Sequence, residues 1–233
     1  MNQHIKERFW TPLEASHQAG AWDIIDSCYS ETQRAYHTWA HIEALLERLG
    51  EFSDLCVRSD ILAMAIFWHD SVYRTQNTDG TPRQDWENVY ESAELFRHYT
   101  LLKGSDADAV YDLIMATANH LDGRIETHYY AGFADDLDLF LDLDLSFLAV
   151  PWDEFLEGLA RIRLEFSSTT DATFLSRQIH ILSNYIKSDK PLYRRIETSE
   201  RWSASAVNNL RRCIDELQHI VAELKSGQMP TTK

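Results

Sequence analysis

The chain has 233 residues, 44% of them apolar and 25% charged, which is enough to bury a core without disulfide or metal staples and ordinary for a globular protein. A formal charge of -15, from 22 Lys and Arg against 37 Asp and Glu, repels polyanions and argues against duplex nucleic acid or an anionic membrane as partners. The cysteines Cys28, Cys56 and Cys213 are scattered and odd in number, which suggests neither a disulfide framework nor a thiolate zinc site and fits a reducing, cytoplasmic compartment.

Helical periodicity dominates the chain from its N-terminus onward. A first helix is expected over Ile5 to Ala19 and a second over Trp22 to Tyr29. Ile42, Leu45, Leu46 and Leu49 recur at i, i+3, i+4 and i+7, and Gly50 reads as their stop signal. Ser53 and Asp54 are candidate caps for the next helix, whose run Ile61 to Trp68 is apolar nearly all round and belongs at the centre of a bundle. Arg74 to Arg83 is a loop, with Asp79-Gly80 and Pro82 as turn chemistry.

Helices resume over Asp85 to Leu102 and Asp106 to Asn119, followed by an irregular stretch from Leu121 to Phe133. Asp135 to Leu148, Trp152 to Phe166, Ala172 to Ile186 and Glu197 to Lys225 complete the set. The alternation LDLFLDLDL at Leu137 to Leu145 imitates a strand, but it lacks β-branched residues and reads better as helix. The expected architecture is all-α, a single helical-bundle domain over residues 1–225 with a disordered tail at 226–233. The N-terminus is polar, and the longest apolar run is far too short to span a membrane.

Five features carry potential metal ligands: His37-x-x-x-His41, His69-Asp70, His120, Asp142-x-Asp144 and His128. Spacing of four places His37 and His41 on one helical face, provided the helix already covers His37. Alone, each is weak. A His-Asp dipeptide arises by chance in about half of chains with ten histidines. Position raises their value. Asp70 follows a run of apolar residues, and Asp142 and Asp144 sit between leucines. A buried carboxylate is costly unless it is paired or binds a cation, and one shared cation would reconcile both pairs. Mixed His and Asp donors suit Mn, Mg, Ni, Co, Fe or Zn, with no thiolate to choose among them.

The order His41, His69-Asp70, Asp144 resembles the H…HD…D signature of the HD superfamily. YHTWAHIEALL, LAMAIFWHDSVY, ENVYESAELF, LIMATANH, FLDLDLSFLAV, IRLEF, Tyr193 and WSASAVNNL resemble, in order, a bacterial branch of predicted metal-dependent HD phosphohydrolases. The likeness runs from about Arg34 to Leu217. Val89 and Phe166 depart from the branch, which commonly has Glu and Tyr there.

The resemblance implies an HD-type bundle in which His41, His69, Asp70 and Asp144 bind a divalent metal. Asp142 lies in the same motif with its role open, and His120 resembles an extra histidine that holds a second metal or contacts phosphate. The activity implied is hydrolysis of a small phosphate ester, such as a nucleotide, by metal-activated water. Arg34 is the candidate phosphate clamp, and His37 or His120 the candidate proton shuttle. Two rivals share the fold: a di-iron oxygenase drawing on His120 and His128, and a nucleotide- or metabolite-binding module without turnover.

Overall fold

The structure, a computed structural model, describes residues 1–226 and, within them, the side chains of residues 1–224. Ten α-helices and several short 3-10 segments make up the described residues, which contain two isolated β-bridges and no strand. The chain folds as two compact units, Met1–Asp144 and a second from Leu145 onward, and the expected single domain takes in both. The expected tail lies outside the described residues from Gly227 onward, and Ser226 is the last residue of a helix.

In the first unit the central element is α4 (Ser59–Trp68), as its all-round apolar sequence requires. Every residue from Ile61 to Trp68 is buried. Around it pack α3 (Trp39–Glu51), α5 (Asp85–Tyr99), α6 (Ser105–Ala116) and α7 (Phe133–Asp144). On α3 the stripe Ile42, Leu45, Leu46 and Leu49 is fully buried, each side chain contributing about 2 kcal/mol of hydrophobic stabilisation. The alternating run LDLFLDLDL is helical, and it buries Leu137, Leu139, Phe140, Leu141 and Leu143.

Three local expectations are corrected. The N-terminal segment is not one helix from Ile5 to Ala19. It is α1 (Gln3–Ile5), a π turn over Lys6–Trp10 and a 3-10 turn over Thr11–Ser16. Pro12 has no amide to give an i→i-4 ladder, and the chain then runs extended, pairing with the end of α5 through Gln18 N–H to the Tyr99 carbonyl (2.7 Å) and Leu101 N–H to the Ser16 carbonyl (2.8 Å). Gly50 does not stop α3, which continues to Glu51. Ser53 and Asp54 lie in a separate 3-10 turn, Ser53–Leu55, and cap nothing in α4. The lead-in to α4 is held from another helix: the Asp136 carboxylate on α7 accepts the amides of Val57 (2.9 Å) and Arg58 (2.8 Å), the two residues before α4 begins.

Between α4 and α5 the loop is pinned by Asn88. Its Oδ1 accepts from the Arg74 amide and from Arg83 Nε, and its Nδ2 donates to the Arg74 carbonyl. Position 88 therefore orders the polypeptide that leaves His69-Asp70. Gly80 takes a left-handed φ of 82° beside Asp79, whose carboxylate accepts the Thr81 amide, as the turn chemistry anticipates.

The second unit opens with a 3-10 turn (Leu145–Ala149), followed by α8 (Trp152–Glu165), α9 (Asp171–Lys187) and α10 (Ile196–Ser226). α10 packs against α9 and that turn. The buried Asn209 amide donates to the carbonyls of Leu148 (3.0 Å) and Val150 (2.9 Å), and the Tyr193 hydroxyl donates to that of Leu145 (3.0 Å). No described helix is long and apolar enough to cross a membrane.

Candidate metal centre

Three helix ends of the first unit converge on one point. His41 sits in the first turn of α3, His69 is the C-terminal cap of α4 with Asp70 following, and Asp144 is the last residue of α7. His41 Nε2 lies 3.4 Å from His69 Nε2, 3.5 Å from Asp70 Oδ2 and 3.4 Å from Asp144 Oδ1. His69 Nε2 lies 3.2 Å from Asp70 Oδ2 and 3.6 Å from Asp144 Oδ1.

These spacings test whether a cation fits. Ligand bonds of about 2.1 Å separate neighbouring donors by about 3.0 Å in an octahedral shell and about 3.4 Å in a tetrahedral one. The observed 3.2–3.6 Å clusters around the tetrahedral spacing, with two of the five separations just above it. The donor atoms of His41, His69 and Asp70 also satisfy, as a group, the proximity a single ion demands.

Local structure supplies the tautomer. His69 Nδ1 lies 2.9 Å from the Ile66 carbonyl, which can only accept, so Nδ1 carries a proton and Nε2 is the ring atom that would turn a lone pair to a cation in the cluster. His69 is 1% exposed, so its ring is fixed by packing as well. Burial by itself would lower the His69 pKa, but the Asp70 and Asp144 carboxylates more than offset it and hold it well above the usual range. Burial would likewise raise both carboxyls, and the imidazoles reverse this: His69 and His37 chiefly hold Asp70 down, and His69, His120 and His41 hold Asp144 down. Two ionised carboxylates in a largely buried cluster demand positive charge, which protons on the imidazoles or a divalent cation can provide.

The remaining sequence candidates divide. His120, just past a 3-10 turn, joins the cluster through Asp144, with Nε2 2.7 Å from Oδ2. His37 precedes α3, so the helical spacing with His41 does not apply. Its ring nevertheless lies 6.1 Å from that of His41, because it stacks on Tyr73 at 3.6 Å between centroids. Asp142 is buried two residues before Asp144, about 200° around the helix, and α7 carries it away from the other ligands. His128 is exposed in the stretch between α6 and α7 and takes no part in the contacts of the cluster.

Arg34 is not placed as a phosphate clamp. Its guanidinium is buried and spent on protein acceptors: Nε on Glu31 (2.8 Å), Nη1 on the carbonyls of Asp70 (2.7 Å) and His37 (3.3 Å), and Nη2 on that of Ser71 (2.8 Å). It ties the lead-in to α3 onto the turn after α4, fixing His37 and Asp70 relative to each other. Tyr73 received no role from the sequence although it lies inside the HD segment. An aromatic three residues beyond Asp70, within reach of another aromatic motif, was the available signal.

The chain matches no protein-family model, no curated protein and no solved structure.

Proposed function

We propose that this chain is a metal-dependent phosphohydrolase of the HD type, acting on a small phosphate ester. The observation that supports this reading is the convergence of His41, His69, Asp70 and Asp144, in the chain order of the H…HD…D signature, with the two imidazole Nε2 atoms 3.4 Å apart and each 3.2–3.6 Å from an oxygen of Asp70 and of Asp144. A divalent cation, when bound, supplies a water nucleophile at neutral pH and neutralises charge on a phosphoryl oxygen.

The chain's own residues do the rest. His69 presents a fixed Nε2 because Ile66 holds its Nδ1 proton. Asp144 accepts from His120, so His120 stands where it can take or return a proton beside the reacting atoms. Arg34 keeps Asp70 in register through its main chain. Without thiolate ligands the donor set admits Mn, Mg, Ni, Co, Fe or Zn.

The test is elemental analysis of the purified chain, then a phosphatase screen with the metal found. One divalent ion per chain and a phosphoesterase activity that Asp70→Ala lowers by at least about 100-fold are expected. Two irons per chain, or a retained nucleotide with no turnover, would instead favour the oxygenase or the binding module.

A further inference from the structure

A cavity of about 270 Å³ opens at the other end of α3 and α4 from the metal ligands. Gly50 lies nine residues beyond His41 on α3, about 13 Å along the axis, so the two sites are separate. The apolar part of the wall is Phe9, Pro12, Leu13, Leu49 and Ala63. Ser53, Ser59, Asp60 and Arg8 supply the polar part.

The charge in that wall is unbalanced. Asp60 is already held by Arg58, with Nε on Oδ1 and Nη2 on Oδ2, both 2.8 Å. Arg8 is exposed, stands 4.8 Å over the Phe9 ring, and has no hydrogen bond and no ion pair among the described residues, although the chain carries 37 carboxylates. Ser53 and Ser59 are exposed as well, and their hydroxyls are open to a ligand or to water. The guanidinium lies flat over α3, where a Cβ on Gly50 would meet Nη2, Nη1 and Cζ at 2.7–2.9 Å. Gly50 thus costs helix propensity within α3 and makes room for this cation.

We propose that this cavity binds a small carboxylic acid with a short apolar body, the carboxylate on Arg8 and the body against Phe9, Leu13 and Leu49. A planar guanidinium pairs bidentately with a carboxylate. A single unpaired cation matches one negative charge, and the -15 charge of the chain disfavours a dianion such as a phosphate monoester. The volume lies just under the roughly 300 Å³ at which pockets for larger organic ligands begin.

The probe is phenylacetate, titrated into the full-length chain by calorimetry, with phenylacetamide as its uncharged counterpart. Saturable binding of one phenylacetate per chain is expected, with phenylacetamide and the Arg8→Gln variant each at least about tenfold weaker. Gly50→Ala should weaken binding similarly by pushing the guanidinium aside, while its thermal midpoint stays level or rises, because alanine is the better helix former. Asp70→Ala should bind as the wild type does. Absence of saturable binding, equal affinity in Arg8→Gln, or loss of binding in Asp70→Ala, which would place the probe at the metal ligands, would each overturn the proposal.

Discussion

At the scale of single residues, two buried side chains are fixed in different charge states. Arg34 is a buried cation whose donors are consumed by Glu31 and three carbonyls. Arg34→Ala would leave those carbonyls without partners and should cost about 3 kcal/mol in urea denaturation. Arg34→Lys should recover little of it, because one ammonium cannot span the Asp70 and Ser71 carbonyls. A lysine variant of full stability but weakened substrate binding would restore the phosphate clamp instead. His17 is a buried neutral ring. Its Nδ1–H donates to the Leu13 carbonyl (2.9 Å), its Nε2 accepts from Trp68 Nε1 (3.1 Å), and Trp10 stacks on it. Burial lowers its pKa from the usual 6.5, outweighing the Leu13 bond. The unfolded chain therefore takes up the proton first. The His17 contribution should be complete above pH 6.5 and decline as pH falls below it toward the lowered folded value. Unfolding free energies of the wild type and His17→Gln, measured from pH 8 to 5, should converge on acidification. A constant gap would mean that folding leaves the proton affinity of the ring unchanged.

At the scale of elements, the sequence revealed helices far better than what starts and joins them. Apolar spacing located α3 and α4, and the lack of β-branched residues settled LDLFLDLDL as helix, because both follow from side chains on a single segment. Gly50 misled because its reason lies in another element, the Arg8 guanidinium laid across it. Ser53 and Asp54 misled because the carboxylate that holds the lead-in to α4, Asp136, is on α7, and no local pattern reports a partner 78 positions away. The clustering of the candidate ligands was legible for a related reason: charged residues inside apolar runs need an explanation wherever the runs meet. The neighbours that aim them, Tyr73 on His37 and Ile66 on His69, became visible only in three dimensions. Asp136 gives this a test. Its carboxylate accepts Val57 N–H, Arg58 N–H and the Tyr130 hydroxyl (2.9 Å). Asp136→Asn keeps the shape but removes the charge and one acceptor, so it should destabilise by about 1–2 kcal/mol in urea. Loss of hydrogen-exchange protection should be concentrated in the first turn of α4. A substitution without effect would remove the carboxylate from the account of how α4 begins.

At the scale of the molecule, the distribution of ligands between the two compact units decides what a bound metal can stabilise. His41, His69, Asp70, Asp144 and His120 all belong to Met1–Asp144, and the unit beginning at Leu145 supplies none of them. A ligand stabilises only those states that can bind it. Opening that separates α3, α4 or α7 destroys the site, whereas opening confined to α8, α9 and α10 leaves its donors in place. At a metal concentration of 100 times Kd, binding adds about 2.7 kcal/mol to the first kind of opening. Exchange of core amides of α3, α4 and α7 should therefore slow by about 100-fold, while amides of α10 change far less. Mass-resolved hydrogen exchange on the metal-loaded and chelator-treated chain reads both at once. Equal slowing in α10 would mean that the units open together, so that metal bound through residues up to Asp144 secures the whole fold. Slowing in neither would remove the metal from the centre these side chains form.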